Sequence, residues 1–176
     1  RCYQYLYKQV LVANTCISAL DEMEGTETEK KILRGQAHFT RAFGYFLLAN
    51  FYAQAYNEAQ LTDPCVPLVL DPTPTMERFP RATIEDVWTR IKLDVEEAVS
   101  SLEKANISSI YEINYGAALI LGMRVALFME DFDLAIEYGE KALEINSSLY
   151  DITNKPVSTG TSSPSSSNFQ DKFIYP

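Results

Sequence analysis

His38 is the only histidine of this 176-residue chain, and no Cys, Asp or Glu accompanies it at metal-ligand spacing. Alone among small and aromatic residues, its imidazole reads as a structural or surface group. The three cysteines, Cys2, Cys16 and Cys65, form no C-x-x-C pair. Cys2 and Cys16 would lie about 20 Å apart on one helix at ~1.5 Å per residue, too far to bridge. A bridge from either to Cys65 stays open, with a buried free thiol the favoured reading for each. No G-x-S-x-G, H-E-x-x-H or phosphate-binding glycine loop occurs, and only 7 glycines are present. The carboxylates fall mostly on outward helix faces, where a solvated surface is the simpler reading than an acid/base pair. The residues therefore point to a non-enzyme with no catalytic group, no metal site and no cofactor. A net charge of −9 without clustered Lys and Arg speaks against nucleic acid.

The elements that would position any site are helices. A hydrophobic content of 47% and this length support one domain with a real core. Tyr3, Leu6, Tyr7, Val10, Ala13, Asn14, Ile17 and Leu20 recur at three- and four-residue steps, which predicts a first helix over residues 2 to 23. Gly25 breaks it, and Thr26-Glu27-Thr28-Glu29 has the capping-box form that opens a second helix to about Tyr56. The stretch GQAHFTRAFGYFLLANFYAQAY, residues 35 to 56, is small or aromatic around most of its circumference and must be packed on several sides. Its longest nearly apolar run, Ala42 to Tyr56, is broken by Asn50 and Gln54. It also falls short of the roughly 18 to 20 residues of a bilayer span, so it is a core helix.

From Asn57 to Pro80, five prolines (Pro64, Pro67, Pro72, Pro74 and Pro80) fix φ and remove donors, so no regular element is expected. So long a connection is uncommon and is disproportionately functional. Thr83-Ile84-Glu85-Asp86 caps a third helix. Its inward stripe is Ile84, Val87, Trp88, Ile91, Val95, Ala98, Val99 and Leu102, with Lys92, Asp94, Glu96 and Glu97 on the other side. Asn114 can cap a fourth helix over Tyr115 to Met129, apolar nearly all round and therefore central. Asp131 can cap a fifth over Phe132 to Ile145, with Leu134, Ala135, Tyr138, Ala142 and Leu143 inward and a Glu137–Lys141 pair outward.

Residues 158 to 168, STGTSSPSSSN, cannot bury enough apolar surface to offset their ordering entropy. The division expected is a helical domain over 1–155 and a Ser/Thr/Pro-rich linker over 156–176. The latter ends in Phe169, Phe173, Ile174 and Tyr175, which need a partner in a continuing chain. Arg1-Cys2 opens inside what reads as a helix, without the basic and apolar regions of a signal peptide, so the native start is expected upstream. Cys2 lacks the preceding apolar stretch of a lipid-modified cysteine.

Glu130-Asp-Phe-Asp-Leu-Ala-Ile-Glu-Tyr-Gly-Glu-Lys-Ala-Leu-Glu-Ile-Asn146 resembles the second half of a tetratricopeptide repeat, "G-D-Y-x-x-A-I-x-x-Y-x-K-A-L-x-x-x-P". Ala135 and Ala142 fall where close helix approach needs small residues. Helices four and five then form one unit, and helices two and three another, split by the Pro-rich loop. The fold class is all-α: a tetratricopeptide-like right-handed superhelix of about five helices with one long Pro-rich loop.

A second resemblance runs through the chain. Gly35, Gln36, Ala37, Phe39, Arg41 and Ala42, then Tyr45, Phe46, Leu47 and Leu48, are similar to the "G-E-A-x-F-L-R-A … Y-F-x-L" helix of the SusD/RagB family of Bacteroidetes surface lipoproteins. Asn14, Ile17 and Leu20 resemble its "a-N-x-x-L-x-x-L"; Tyr52 and Val66-Pro67-Leu68-Val69 its "l-Y-G … G-V-P-L-V". Arg81-Ala82-Thr83-Ile84-Glu85-Asp86-Val87-Trp88 with Ile91, Asp94, Val95, Glu97 and Ala98 is similar to "R-s-T-v-x-E-V-Y-x-x-I-x-x-D-L-x-x-A". Ile113-Asn114, Ala117-Ala118 and Arg124-Val125 resemble "R-I-N-x-x-A-A-x-a-L-l-A-R-V". Gln36, Ala53 and Glu112 depart from the family's Glu, Gly and Arg.

The resemblance implies a non-catalytic, outer-membrane, surface-exposed lipoprotein whose signal peptide and lipobox lie outside this chain. It also implies an oligo- or polysaccharide ligand and a SusC-like TonB-dependent transporter as partner. Family members run to several hundred residues, so the chain would be their N-terminal, helix-rich part. The alternative is a protein-interaction scaffold of the tetratricopeptide type. Sugar binding needs aromatic faces to stack on C–H groups and amides or carboxylates for hydroxyls. The candidates are Tyr56, Asn57 and Glu58 at the exit of the second helix, with Phe79 further along the loop. Trp88 is read as core, and the family's variable binding residues carry none across.

Overall fold

The helix starts are made by the side chains that announce them. The computed structural model describes residues 2–73, 78–107, 109 and 111–148. It contains α1 (Cys2–Ala19), α2 (Glu27–Tyr52), α3 (Ile84–Leu102), α4 (Tyr115–Phe128) and α5 (Phe132–Ile145). Thr26 Oγ1 accepts the Glu29 N–H at 3.2 Å while the Glu29 carboxylate accepts the Thr26 N–H at 2.8 Å, a complete capping box. At α3 the same exchange uses Thr83 and the shorter Asp86, whose N–H reaches Thr83 Oγ1 at 3.1 Å. Asn114 Oδ1 takes the Ala117 N–H at 3.0 Å, and Asp131 Oδ1 the Leu134 N–H at 3.3 Å.

α2 packs most extensively on α3 and α4 on α5, with α1 laid on α2 and α3 on α4. These are the helix pairs the repeat reading expects. The main core joins Leu6 and Val10 of α1, Ala42, Tyr45, Phe46 and Leu48 of α2, Val87, Trp88 and Ile91 of α3, and Leu119 and Val125 of α4. No described helix is long and apolar enough to cross a membrane.

Gly35 permits a close approach of α2 to α3. A Cβ there would stand 2.7 Å from Leu102 Cγ and 3.0 Å from Ser101 Cβ, both on buried residues. Gly35→Ala gains up to ~1 kcal/mol of helix propensity but meets a packed wall, where overpacking costs roughly 1–3 kcal/mol. The variant is expected to be less stable by about 1 kcal/mol in urea denaturation, and a gain in stability would contradict this contact.

Several expectations need correction. α1 ends at Ala19, not residue 23, and α2 ends at Tyr52, where Ala53 turns to extended backbone (φ −125°, ψ 179°). The Pro-rich segment is not wholly irregular, since Glu58–Gln60 forms one 3-10 turn. Cys2 is exposed, Cys16 half-buried and Cys65 buried, and all three are free thiols. Leu143 is 59% exposed, because Ala135 and Tyr138 already fill the α5 contact with α4. Nor is α4 enclosed: Ile120 and Leu127 are about half exposed, as are Phe132, Ile136 and Leu143 of α5. Glu137 and Lys141 pair at 2.6 Å as expected. Glu130, standing where the repeat form has Gly, sits in the left-handed region at φ 59°, which a Cβ disfavours.

The largest correction is Asp94. It is fully buried, facing α2 and not solvent. It lies three residues after Ile91 and four before Ala98, so helical geometry puts it on the inward stripe. The expected domain boundary at 155 and the linker 156–176 lie outside the described residues.

Candidate functional site

The Pro-rich segment is held by groups that no proline interferes with. Asn57 Oδ1 accepts the Ala59 N–H at 2.9 Å and starts the 3-10 turn. The chain then ties itself to the entry of α3. Ile84 N–H donates to the Asp63 carbonyl at 2.9 Å, Glu85 N–H to Leu61 at 3.0 Å, and Cys65 N–H to Ala82 at 2.7 Å. Ala82 N–H returns to the Val66 carbonyl at 3.1 Å. The Arg81 guanidinium closes this clasp by donating to the carbonyls of Pro64, at 2.7 Å, and Cys65.

Beyond the clasp, side chains of α1 and α2 replace a partner strand. The Tyr7 hydroxyl donates to the Pro67 carbonyl at 2.7 Å. Asn14 Nδ2 donates to the Val69 carbonyl at 2.9 Å, and the Tyr45 hydroxyl donates to the same oxygen at 2.7 Å. The Val69 N–H in turn donates to the Tyr45 oxygen at 2.7 Å. Burial pushes the Tyr45 phenol up to about 12 and the Tyr7 phenol higher still, so both remain neutral donors throughout the physiological range.

Behind these donors lies a buried ionic group. Arg41 grips Asp94 with two bonds, Nε to Oδ2 at 2.8 Å and a terminal nitrogen to Oδ1 at 2.7 Å. Its other terminal nitrogen donates to Asn14 Oδ1 at 3.0 Å. His38 Nδ1 meets Asp94 Oδ1 at 2.9 Å, and Arg90 stands 3.6 Å from the same oxygen. Burial works to raise the Asp94 carboxyl, but the Arg41 and His38 hydrogen bonds and charges outweigh it and hold the group below its ordinary value of 3.8. A depressed carboxyl contributes stability in full above its unfolded-state value and loses it as pH falls through the folded one. The melting temperature of the chain is therefore expected to drop as pH falls below about 4, and to drop less steeply in Asp94→Asn. Equal slopes for the two proteins would refute the assignment.

Of the residues the sequence singles out, Glu58 opens the 3-10 turn, Asn57 caps it, Tyr56 directly precedes it, and Phe79 is not part of it. Tyr56 is half-buried with its ring 5.5 Å from that of Trp88 at 67°. Burial, then the nearby charges of Glu58 and Glu85, raise its phenol. Asn57 is engaged as a cap, and Glu58 is exposed. Phe79 is 44% exposed on the returning leg of the loop, just before Arg81. Trp88 is core, as expected, 1% exposed and wrapped by Phe46, Tyr56 and Phe128.

The sequence reading missed the buried Asp94–Arg41–Asn14 group and the exposed aromatic cluster of Tyr3, Phe51 and Tyr52. The signal for the first was present, an arginine inside a small-and-aromatic helix and an aspartate on an apolar stripe. In the cluster, Tyr3 lies edge-on to Tyr52 at 5.0 Å. Among the described residues no cluster of His, Cys, Asp or Glu could hold a metal ion. The cavity between α3, α4 and α5, lined by Val95, Gly122, Val125 and Tyr138, measures only about 10 Å³, room for at most one water.

Stacked helical hairpins that pin a Pro-rich loop by side-chain donors define a scaffold for binding. Comparison with known proteins narrows this class. The family model described as "Starch-binding associating with outer membrane", of the SusD-like group, matches residues 1–127. The chain belongs to the SusD-like family.

Among solved structures, the chain is similar to a SusD-like carbohydrate binding protein from Bacteroides vulgatus ATCC 8482 (24% identity, TM-score 0.78), covering 86% of this chain and 32% of that one. A SusD superfamily protein from Bacteroides thetaiotaomicron VPI-5482 shares 22% identity at a TM-score of 0.76, over 84% of this chain and 33% of its own. A laminarin binding SusD-like protein shares 20% identity at 0.66, over 81% and 29%. At these identities the likeness establishes the fold, and the chain spans about a third of each relative's length. No curated protein matches it.

Proposed function

We propose that this chain is the helical part of a glycan-binding protein at the outer membrane, which captures an oligo- or polysaccharide and passes it to a SusC-like TonB-dependent transporter. The observation that carries this reading is the family match over residues 1–127. In this reading the helices up to residue 155 are the scaffold, and residues 156–176 lead to further chain. A lipid anchor outside residues 1–176 would hold the protein at the cell surface. Ligand contact is assigned to the loop that starts at Tyr56, with Asn57, Glu58 and Phe79 beside it, because an aromatic face next to a carboxylate is what a pyranose ring requires.

Affinity electrophoresis of the full chain in gels containing starch or laminarin, with co-purification of an outer-membrane barrel, tests the reading. Retardation by a glycan and a co-purifying barrel are expected; neither, across a broad glycan set, would refute it. Within a binding protein, Tyr56→Ala is expected to weaken affinity roughly 3- to 10-fold, the size of one lost aromatic contact. Unchanged affinity would move the site elsewhere. The exposed apolar residues of α4 and α5 favour one second reading, a protein-interaction scaffold. Copurification of a protein partner without any glycan retardation would select it.

A further inference from the structure

Val69 is held in an unusual way. Both of its backbone polar groups are satisfied by side chains, the carbonyl by Asn14 Nδ2 and the Tyr45 hydroxyl, and the N–H by the Tyr45 oxygen. No strand does this work, so the position of the loop depends on two residues of α1 and α2. The dependence reaches deeper, because a guanidinium has donors only. The Asn14 atom facing Arg41 at 3.0 Å must therefore be its oxygen, and the amide nitrogen is thereby turned to Val69. Arg41 is itself fixed by its double bond pair to Asp94.

We infer that Asn14 and Tyr45 are positioning residues for the ligand-contacting loop, and that the Arg41–Asp94 pair sets the polarity of this clamp by dictating which way the Asn14 amide faces. The inference rests on the reading of that loop as the glycan-contacting segment. The clamp acts on Val69, from which the chain runs through the Asp71–Thr73 turn, closed by an Asp71 Oδ1 contact to the Thr73 N–H at 2.7 Å, toward Phe79. Fixing Val69 sets where the chain departs for the Asp71–Thr73 turn. Asn14 and Tyr45 reach the ligand only through the loop: they are 1% and 0% exposed.

Tyr45→Phe keeps the ring in the core and deletes only the hydroxyl, and Asn14→Asp keeps the oxygen for Arg41 while removing the donor to Val69. Site-resolved amide exchange on the full chain, with affinity electrophoresis in starch and laminarin gels, separates the possibilities. In Tyr45→Phe the Val69 amide is expected to exchange about tenfold faster, with the amides of α3 unchanged. Asn14→Asp is expected to release the Val69 amide as well. Exchange that rises equally in the loop and in α3, or not at all in the loop, overturns the clamp.

For a glycan that retards the wild type, retardation should weaken in both variants. Unchanged retardation with a released loop overturns the positioning role. If the wild type is retarded by no glycan, the functional reading fails, while the exchange result still decides whether the clamp exists.

Discussion

Asp94→Asn is expected to remove about 3–5 kcal/mol of stability, a large fraction of the roughly 5–15 kcal/mol that holds an ordinary domain folded. The reason is not the worth of the ion pair but what its loss leaves behind. Arg41 is almost wholly buried, so without the carboxylate its guanidinium has only the amide oxygens of Asn14 and residue 94 to face. His38 exchanges a carboxylate partner for an amide as well. Replacing both partners by apolar residues of similar size, Arg41→Met with Asp94→Leu, removes the stranded charge and is expected to be clearly less damaging than either single change. Thermal and urea denaturation of the four proteins give the coupling directly. A double variant as unstable as the sum of the singles would mean that the two residues act independently.

Trp88→Ala should cost a similar amount, about 3–5 kcal/mol, by emptying the largest fully buried side chain of the core. Trp88→Phe should be far milder. The indole N–H of Trp88 is buried without an acceptor in the structure, a burden of roughly 1–3 kcal/mol that phenylalanine does not carry. Relief of that orphaned donor offsets part of the lost packing against Phe46, Tyr56 and Phe128. A net change below about 1.5 kcal/mol is expected for the phenylalanine variant in urea denaturation. A loss as large as that of the alanine variant would show that the N–H is satisfied in solution.

Local rules carried much of the architecture because they act through neighbours in the chain. Thr26, Thr83, Asn114 and Asp131 each cap the helix they precede, since a cap needs only a side-chain oxygen within three residues. The apolar stripe of α3 likewise follows from a period that sequence displays openly. What stayed hidden depends on contacts between distant segments. Asp94 reads as a solvent-facing residue because carboxylates usually are, although its register places it between Ile91 and Ala98. Only its meeting with Arg41, across 53 residues of sequence, makes burial affordable. The loop was similarly opaque: proline spacing forbids regular structure but does not say that Tyr7, Asn14 and Tyr45 will supply the missing partners. For the candidate site, the sequence gathered Tyr56, Asn57 and Glu58 by adjacency. It gave no indication that Asn57 would be occupied as a cap or that Tyr56 would rest against Trp88.

That last contact turns the molecule into its own optical instrument. Trp88 is the only tryptophan in the chain, so ultraviolet emission at long excitation wavelength comes from one place. Dry and enclosed by three aromatic rings, it should emit to the blue in the folded state and shift to the red on unfolding. Because Tyr56 forms one wall of its enclosure and also begins the loop, a ligand that reorients the Tyr56 ring would alter the emission of an indole it never touches. Titration with a glycan can thus be followed without a label.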